Sequence, residues 1–189
     1  MSITKHVPIS VDEYLAEELV SDVKHEYLGG YAYAMAGATN VHNRVAANLL
    51  GVLHAQLRGK PCEPFNSDTK VRIEQAAYPR FYYPDGMVVC DPNDPEETFQ
   101  DRPVLIAEVI SESTRRTDDG EKRSAYQTIP TLDVYLVLET ESPCVTVHRR
   151  TSEGFEIELY EGIDAVIPLS TIEAEVPLQD LYERVQFAK

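Results

Sequence analysis

The spacing of apolar residues predicts four helices. From Val41 to Leu57 the apolar positions recur every three or four residues, and Gly59 follows, which is typical of one long helix and its C-terminal end. Ser10-Val-Asp-Glu13 has the form of a capping box, in which the serine and the glutamate each satisfy a backbone N–H at a helix start. The predicted helices cover residues 11–19, 41–57, 117–128 and a short stretch within PLQDLYERVQ.

Runs rich in Val, Ile, Leu and Tyr predict a β-sheet. The segment from Tyr27 to Met35 contains Gly29-Gly30 and predicts a hairpin or a bent strand. Further strands are predicted near residues 64–74, 80–90, 103–111, 132–139, 144–149 and 155–160. This order favours an α/β or α+β fold, a mixed sheet covered by helices. With 189 residues, 43% of them apolar, the chain is expected to form a single domain over residues 1–189.

The stretch FYYPDGMVVC at residues 81–90 supports two interpretations of Asp85. Pro84, Asp85 and Gly86 have the chemistry of a turn, which would place Asp85 at a solvent-exposed loop tip. Alternatively, Asp85 lies at a break in a buried strand and binds a metal ion. A second acidic residue, Glu108, favours the metal-binding interpretation.

Glu108 lies inside the apolar run PVLIAEVI, which predicts a central strand. An ionised carboxylate there is costly unless it points to water at the strand's exit, pairs with an arginine or binds a cation. If the loop at residues 91–101 lets this strand pair antiparallel with the preceding one, Asp85 and Glu108 meet at one end of the sheet. Two facing carboxylates repel, so Mg²⁺ or Mn²⁺ is the expected compensation, and such a site suits phosphodiester hydrolysis.

The charge balance weighs against a protein that covers nucleic acid with a basic surface. The chain has 17 basic and 32 acidic residues, a formal net charge of −15. Residues 127–189 hold 4 basic and 12 acidic side chains, whereas residues 102–126 are neutral. A catalytic face with balanced charge is therefore compatible with the composition, and the acidic C-terminal third could face a protein partner.

The three cysteines are far apart and lack CxxC spacing, which argues against a disulfide framework and a cysteine zinc site. No apolar run is long enough to span a bilayer, and MSITKHVPISVDEY has no signal-peptide pattern. We therefore expect a cytoplasmic protein that is not bound to a membrane.

Four segments in fixed order resemble a known family. They are YPDGMVV, IAEVISEST, DDGEKRSAY and IPTLDVYLVLE, and the likeness runs from HEYLGGY at residue 25 to LYERV at residue 181. The combination resembles the Uma-type family of bacterial restriction-endonuclease-like domains, a family of unknown function within the PD-(D/E)XK nuclease superfamily. The resemblance implies a restriction-endonuclease-like core, with a central mixed β-sheet flanked by helices, extra β-hairpin strands and a metal site at the exposed end of the sheet.

The resemblance also implies roles for individual residues. Asp85 and Glu108 match the two metal-binding carboxylates of the superfamily, and the backbone carbonyl of Val109 would be a further ligand. Lys122, in the following helix, matches the lysine that stabilises charge or orients water. Glu26 in KHEYLGGY matches an acidic position expected near the site, although a solvated charge would also explain it.

Two departures from the superfamily pattern bear on activity. The usual lysine two residues after the glutamate is Ile110 here, and Asp119 stands where the family more often has arginine. Without the resemblance, Lys122 would be interpreted as a surface partner of Asp118, four residues earlier on one helix.

Several other polar residues have ordinary structural explanations. Asp68 could support the site or cap a strand start. His42 and His54 are twelve residues apart on one helix and cannot form an i,i+4 metal pair, so His42 is expected in packing or at the helix start rather than as a ligand. Ser111, Ser113 and Thr114 could bind phosphate or cap a helix.

The leading prediction is a Mg²⁺- or Mn²⁺-dependent endonuclease that acts on nucleic acid, most simply DNA, and leaves a 5′-phosphate. The alternative is a catalytically inactive or regulatory binding module that keeps the nuclease fold, because fold alone does not prove activity. The resemblance also suggests a homodimer.

Overall fold

The computed structural model describes residues 7–75, 78–110 and 117–187, with side chains in the last range from residue 120 onward. Its α-helices are α1 (Val11–Glu18), α2 (Asn40–Leu57), α3 (Arg123–Tyr126) and α4 (Leu178–Leu181). A π-helical turn, Thr117–Lys122, leads directly into α3. The predicted capping box is confirmed, because Ser10 Oγ accepts from the Glu13 amide at 3.2 Å and the Glu13 carboxylate accepts from the Ser10 amide at 2.8 Å.

The strands of the first half are β1 (His25–Leu28), β2 (Tyr31–Ala34), β3 (Glu63–Asn66), β4 (Lys70–Ile73), β5 (Arg80–Tyr82), β6 (Gly86–Val89), β7 (Phe99–Gln100) and β8 (Pro103–Ile110). Those of the second half are β9 (Val134–Glu139), β10 (Cys144–Thr151), β11 (Gly154–Glu161), β12 (Val166–Leu169) and β13 (Ala174–Pro177). The pair β12 and β13 and the short β7 were not predicted. The predicted hairpin is confirmed: β1 and β2 pair antiparallel through Gly29 and Gly30, both at positive φ.

The strands form two larger sheets and one separate pair. The six-stranded sheet has the order β11-β10-β9-β8-β6-β3, and its only parallel neighbours among the described strands are β8 and β9. The five-stranded sheet has the order β2-β1-β5-β4-β7, while β12 and β13 pair with each other. The predicted fold class, a mixed sheet flanked by helices with extra hairpin strands, is confirmed.

Two stretches that were each predicted as one strand are divided between the two sheets. Residues 64–74 become β3 and β4, with a turn between them, and residues 80–90 become β5 and β6. In the second case the chain leaves one sheet at Tyr82 and enters the other at Gly86. Pro84 lies in this bend, where it cannot donate to a sheet ladder. Asp85 therefore lies where the two sheets meet.

Side chains of β8 alternate between the two faces of the six-stranded sheet, and each face has its own apolar core. Leu105, Ala107 and Val109 pack in the cluster that contains the buried stripe of α2. Ile106 and Ile110 pack on the opposite face, with Tyr126 of α3. Glu108 shares this second face by the same alternation. We call this second face of the six-stranded sheet the site face.

The structure corrects the prediction about cysteines. Cys62 and Cys90 form a disulfide, although 28 residues separate them in the sequence. The reason lies in the register, because Glu63 pairs with Val89 and the next cross-strand position joins the two cysteines. The cysteine pattern therefore gives no support to the expected cytoplasmic location. Within the described ranges, no helix is both long and apolar enough to cross a membrane.

Candidate metal and catalytic site

Asp85 immediately precedes β6 and lies beyond the last backbone pair that links β6 to β8. That pair is Gly86 with Ala107, so the next facing positions in this antiparallel register are Asp85 and Glu108. The Asp85 side chain is only 16% exposed. The structure therefore matches the strand-break interpretation of its position rather than the exposed loop tip.

The Asp85 carboxylate extends the hydrogen-bond ladder of β8. Its Oδ2 accepts from the backbone N–H of Val109 at 2.8 Å, in the place that a backbone carbonyl of a longer β6 would occupy. In a strand, the N–H and the C=O of one residue point to the same side. The carbonyl of Val109 therefore faces the side of β8 on which Asp85 lies.

Glu108 is buried, with 3% of its surface exposed, and it is paired inside the protein rather than directed to water. Its Oε1 accepts a hydrogen bond from the Tyr126 hydroxyl at 2.7 Å and lies 3.4 Å from Nζ of Lys122. Lys122 and Tyr126 are four residues apart, so both reach the same oxygen from one helical face.

Lys122 is the last residue of the π-helical turn and is itself buried, with 5% exposed. Its Nζ lies 2.8 Å from Oε1 of Glu26 on β1 and 5.6 Å from the centre of the Tyr82 ring. The interpretation of Lys122 as a surface residue is wrong, because only 5% of it is exposed and it contacts the buried carboxylates of Glu26 and Glu108. We call Glu26, Glu108 and Lys122 the buried ion cluster.

Two tyrosines beside the buried ion cluster are held in the protonated form. Burial and the negative charges of Glu108 and Glu26 raise the pKa of Tyr126 well above its usual value. Burial raises the pKa of Tyr82 to about 12, and Arg80 opposes this shift. Tyr126 therefore remains a hydrogen-bond donor to Glu108 over the whole physiological range of pH.

His42 also reaches the site, which the sequence did not predict. Its Nε2 lies 3.1 Å from Oδ2 of Asp85, and the two side chains are 14% and 16% exposed. Its backbone N–H is bonded to Thr39 Oγ1, as expected for a residue near a helix start. The position in the first turn of α2 was visible in the sequence, but the contact across the end of β6 was not.

The remaining candidates lie elsewhere or outside the described residues. Asp68 is in the turn between β3 and β4, where its carboxylate contacts Lys24 and Asn66. Its pKa is lowered, chiefly by the hydrogen bond from Lys24. Ile110, in the position of the missing lysine, is 1% exposed in the apolar core of the site face. Ser111, Ser113, Thr114 and the side chains of Asp118 and Asp119 lie outside the described residues.

The residues present fit a hard divalent cation that keeps several of its ligands as water. Asp85 and Glu108 at facing strand positions, with the Val109 carbonyl on the same side, offer oxygen ligands. Among the side chains that the structure describes, no three His, Cys, Asp or Glu residues are placed to hold a metal together. This excludes a closed cage of that kind in the described part of the chain.

Comparison with known proteins gives a family and a structural neighbour. Residues 11–179 match the model of the Uma2 family, whose description is "Putative restriction endonuclease". The fold is similar to a crystal structure of a "putative nuclease belonging to DUF820" from Anabaena variabilis, with a TM-score of 0.75. The two chains are 16% identical, and the match covers 95% of this chain and 100% of the other. At this identity the likeness concerns the fold.

Two uncharacterized proteins from Synechocystis sp. are more similar in sequence. One is 32% identical over 181 residues, which are 95% of this chain and 94% of the relative. The other is 33% identical over 134 residues, which are 69% of this chain and 75% of the relative. Their names give no activity.

Proposed function

Because the chain belongs to the Uma2 family, we propose that it is a divalent-metal-dependent endonuclease that hydrolyses phosphodiester bonds of nucleic acid, with DNA as the expected substrate. One observation carries the proposal. Asp85 and Glu108 occupy the next facing positions beyond the last pair of the antiparallel β6–β8 ladder, and Glu108 lies 3.4 Å from a buried lysine. Carboxylates that can hold a metal ion, beside a lysine that can stabilise charge on a phosphate, are suited to hydrolysis of a phosphodiester.

The proposed ligands are Asp85, Glu108 and the carbonyl of Val109, and the proposed ion is Mg²⁺ or Mn²⁺. Such an ion, when bound, would lower the pKa of a water molecule and neutralise charge on the phosphate. Glu26 and Glu108 both contact the ammonium of Lys122, at 2.8 and 3.4 Å, and Asp85 occupies the position that faces Glu108 across the strands. This excess of negative charge among the described side chains suits a divalent cation.

The remaining residues act by position and charge. Water would attack phosphorus and the P–O3′ bond would break, leaving a 3′-hydroxyl and a 5′-phosphate. Lys122 would donate a hydrogen bond to a phosphate oxygen or to the attacking water. Glu26 pairs with Lys122 at 2.8 Å, and the hydrogen bond from Tyr126 orients Glu108.

The test is a cleavage assay over a range of substrates. Single-stranded, duplex and branched DNA and RNA are incubated with Mg²⁺ or Mn²⁺ and with the unaltered protein, Asp85→Asn or Glu108→Gln. We expect cleavage of at least one substrate, reduced at least 100-fold in both variants, since each removes a charged ligand. Asp91→Asn is the matched control, because Asp91 is an exposed acid that pairs with Arg102.

Two results would overturn the proposal: no cleavage of any substrate, or cleavage that is equal in all four proteins. The first would favour the alternative of an inactive or regulatory binding module. One observation supports that alternative, namely that Ile110 is buried in apolar surroundings where the superfamily has its lysine.

A further inference from the structure

The contact between His42 and Asp85 joins two elements that are distant in the sequence. His42 lies in the first turn of α2, and Asp85 precedes β6. The 3.1 Å between Nε2 and Oδ2 is a hydrogen-bond distance. Since an ionised carboxylate has no hydrogen to give, Nε2 carries the hydrogen and donates it.

Both donors to Asp85 approach the same oxygen. Oδ2 accepts from the Val109 amide at 2.8 Å and from His42 at 3.1 Å, whereas Oδ1 takes part in neither contact. With a single donor, the carboxylate could rotate about that one hydrogen bond, and its plane would not be fixed. Two donors from different directions hold its plane, and they leave Oδ1 as the oxygen that can bind an ion.

The placement of His42 is itself fixed by packing. Thr39 caps the helix and accepts from the His42 amide at 3.2 Å. Val45, one turn further on, is fully buried in the core under α2. The imidazole is thus held at the end of β6 by the same contacts that attach α2 to the sheet.

We propose that His42 is a positioning residue that orients Asp85 for binding of the divalent cation. This inference rests on the proposed function, because it assigns His42 a role at the proposed metal site. Groups that hydrogen-bond a metal-binding carboxylate commonly change metal affinity by 10–100-fold when they are removed. His42 supplies no ligand atom, so its loss weakens binding without abolishing it.

The experiment measures Mn²⁺ affinity by calorimetric titration, independently of nuclease activity. We compare the unaltered protein with His42→Leu, which removes the donor, and His42→Gln, whose amide N–H can occupy the place of Nε2. His54→Leu is the matched control, because His54 is an exposed residue on the same helix. His42→Asn, which is too short to reach Asp85, replaces His42→Leu if the latter does not fold.

We expect Mn²⁺ to bind His42→Leu about 10–100-fold more weakly, His42→Gln within about threefold of the unaltered protein, and His54→Leu unchanged. Nuclease activity of His42→Leu should recover at saturating Mn²⁺, which loss of a structural residue would not produce. Equal affinity of His42→Leu and the unaltered protein would overturn the role of His42, as would equally weak binding by His42→Gln.

Failure of the proposed function gives a different result. If Asp85→Asn binds Mn²⁺ as tightly as the unaltered protein, or if neither binds it, the metal site itself is wrong. If Asp85→Asn loses binding and His42→Leu does not, only the role of His42 is wrong.

Discussion

Lys122 and Glu108 form an ion pair inside the protein, with Nζ 3.4 Å from Oε1 and with side chains that are 6% and 4% exposed. Removing two charges from water is costly, so such a pair is a poor way to gain stability alone. Glu26 adds a second carboxylate at 2.8 Å from the same nitrogen. An arrangement of this kind is expected where chemistry, rather than stability, requires the charges.

Lys122→Met should lower the free energy of unfolding by about 3–5 kcal/mol, because it leaves the carboxylates of Glu26 and Glu108 buried without this cation. Urea denaturation measures the change. Lys24→Met is the control, since Lys24 pairs with Asp68 at the surface, where the side chains are 39% and 70% exposed. Such an exposed pair contributes about 1 kcal/mol or less. Equal losses in the two variants would contradict the prediction.

Tyr126→Phe tests the hydrogen bond that orients Glu108. The hydroxyl donates to a buried carboxylate at 2.7 Å, so its removal should cost about 1.5–3 kcal/mol. Tyr182→Phe provides the comparison, because the Tyr182 hydroxyl donates to the neutral backbone carbonyl of Cys144 at the same distance. That bond should be worth about 0.5–1.5 kcal/mol. A larger loss for Tyr182→Phe would count against a charged Glu108.

Ile110→Lys restores the lysine of the superfamily pattern and tests whether Lys122 has replaced it. Alone, the substitution should destabilise the protein by several kcal/mol, because Ile110 is 1% exposed in an apolar core and Lys122 is already beside Glu108. In a Lys122→Met background the loss of stability caused by Ile110→Lys should be smaller. Position 110 is two residues from Glu108 on the same face of β8, so the new ammonium can pair with Glu108. A double-mutant cycle should give a coupling of about 0.5–3 kcal/mol. Strict additivity would show that the two positions are not interchangeable.

Stability should fall as the pH rises above about 10, the ordinary pKa of tyrosine. The pKa of Tyr82 is raised to about 12, and that of Tyr126 is raised as well, so above pH 10 the unfolded chain loses protons that the folded protein keeps. Proton loss from the unfolded state favours unfolding by about 1.4 kcal/mol per pH unit for each tyrosine. For Tyr82 this stability is complete below pH 10 and is lost progressively up to about pH 12.

Urea denaturation at intervals between pH 9 and pH 11 measures this slope. Tyr82→Phe should reduce the slope above pH 10, because it removes one group whose pKa differs between the two states. An unchanged slope in this variant would mean that Tyr82 ionises equally in the folded and unfolded chain.

Local patterns predicted much of the architecture. The capping box at Ser10, the helix that ends at Leu57 and the glycine turn of the first hairpin all appear in the structure. Each depends on residues within a few positions of one another. The facing positions of Asp85 and Glu108 were predicted on the condition that their two strands pair antiparallel, and the structure has that pairing.

The sequence alone thus determined the helices, strands and turns that depend on local backbone chemistry. It also determined the family, because the family's segments occur in a recognisable order along the chain. Only the tertiary structure decided which side chains meet. Lys122 meets Glu26 because the helical turn packs against a strand of the five-stranded sheet. His42 meets Asp85 because α2 packs on the six-stranded sheet, and Cys62 meets Cys90 because β3 and β6 are neighbours within that sheet. The physical reason is that burial of apolar faces specifies these contacts across the whole molecule, and no short stretch of sequence contains that information.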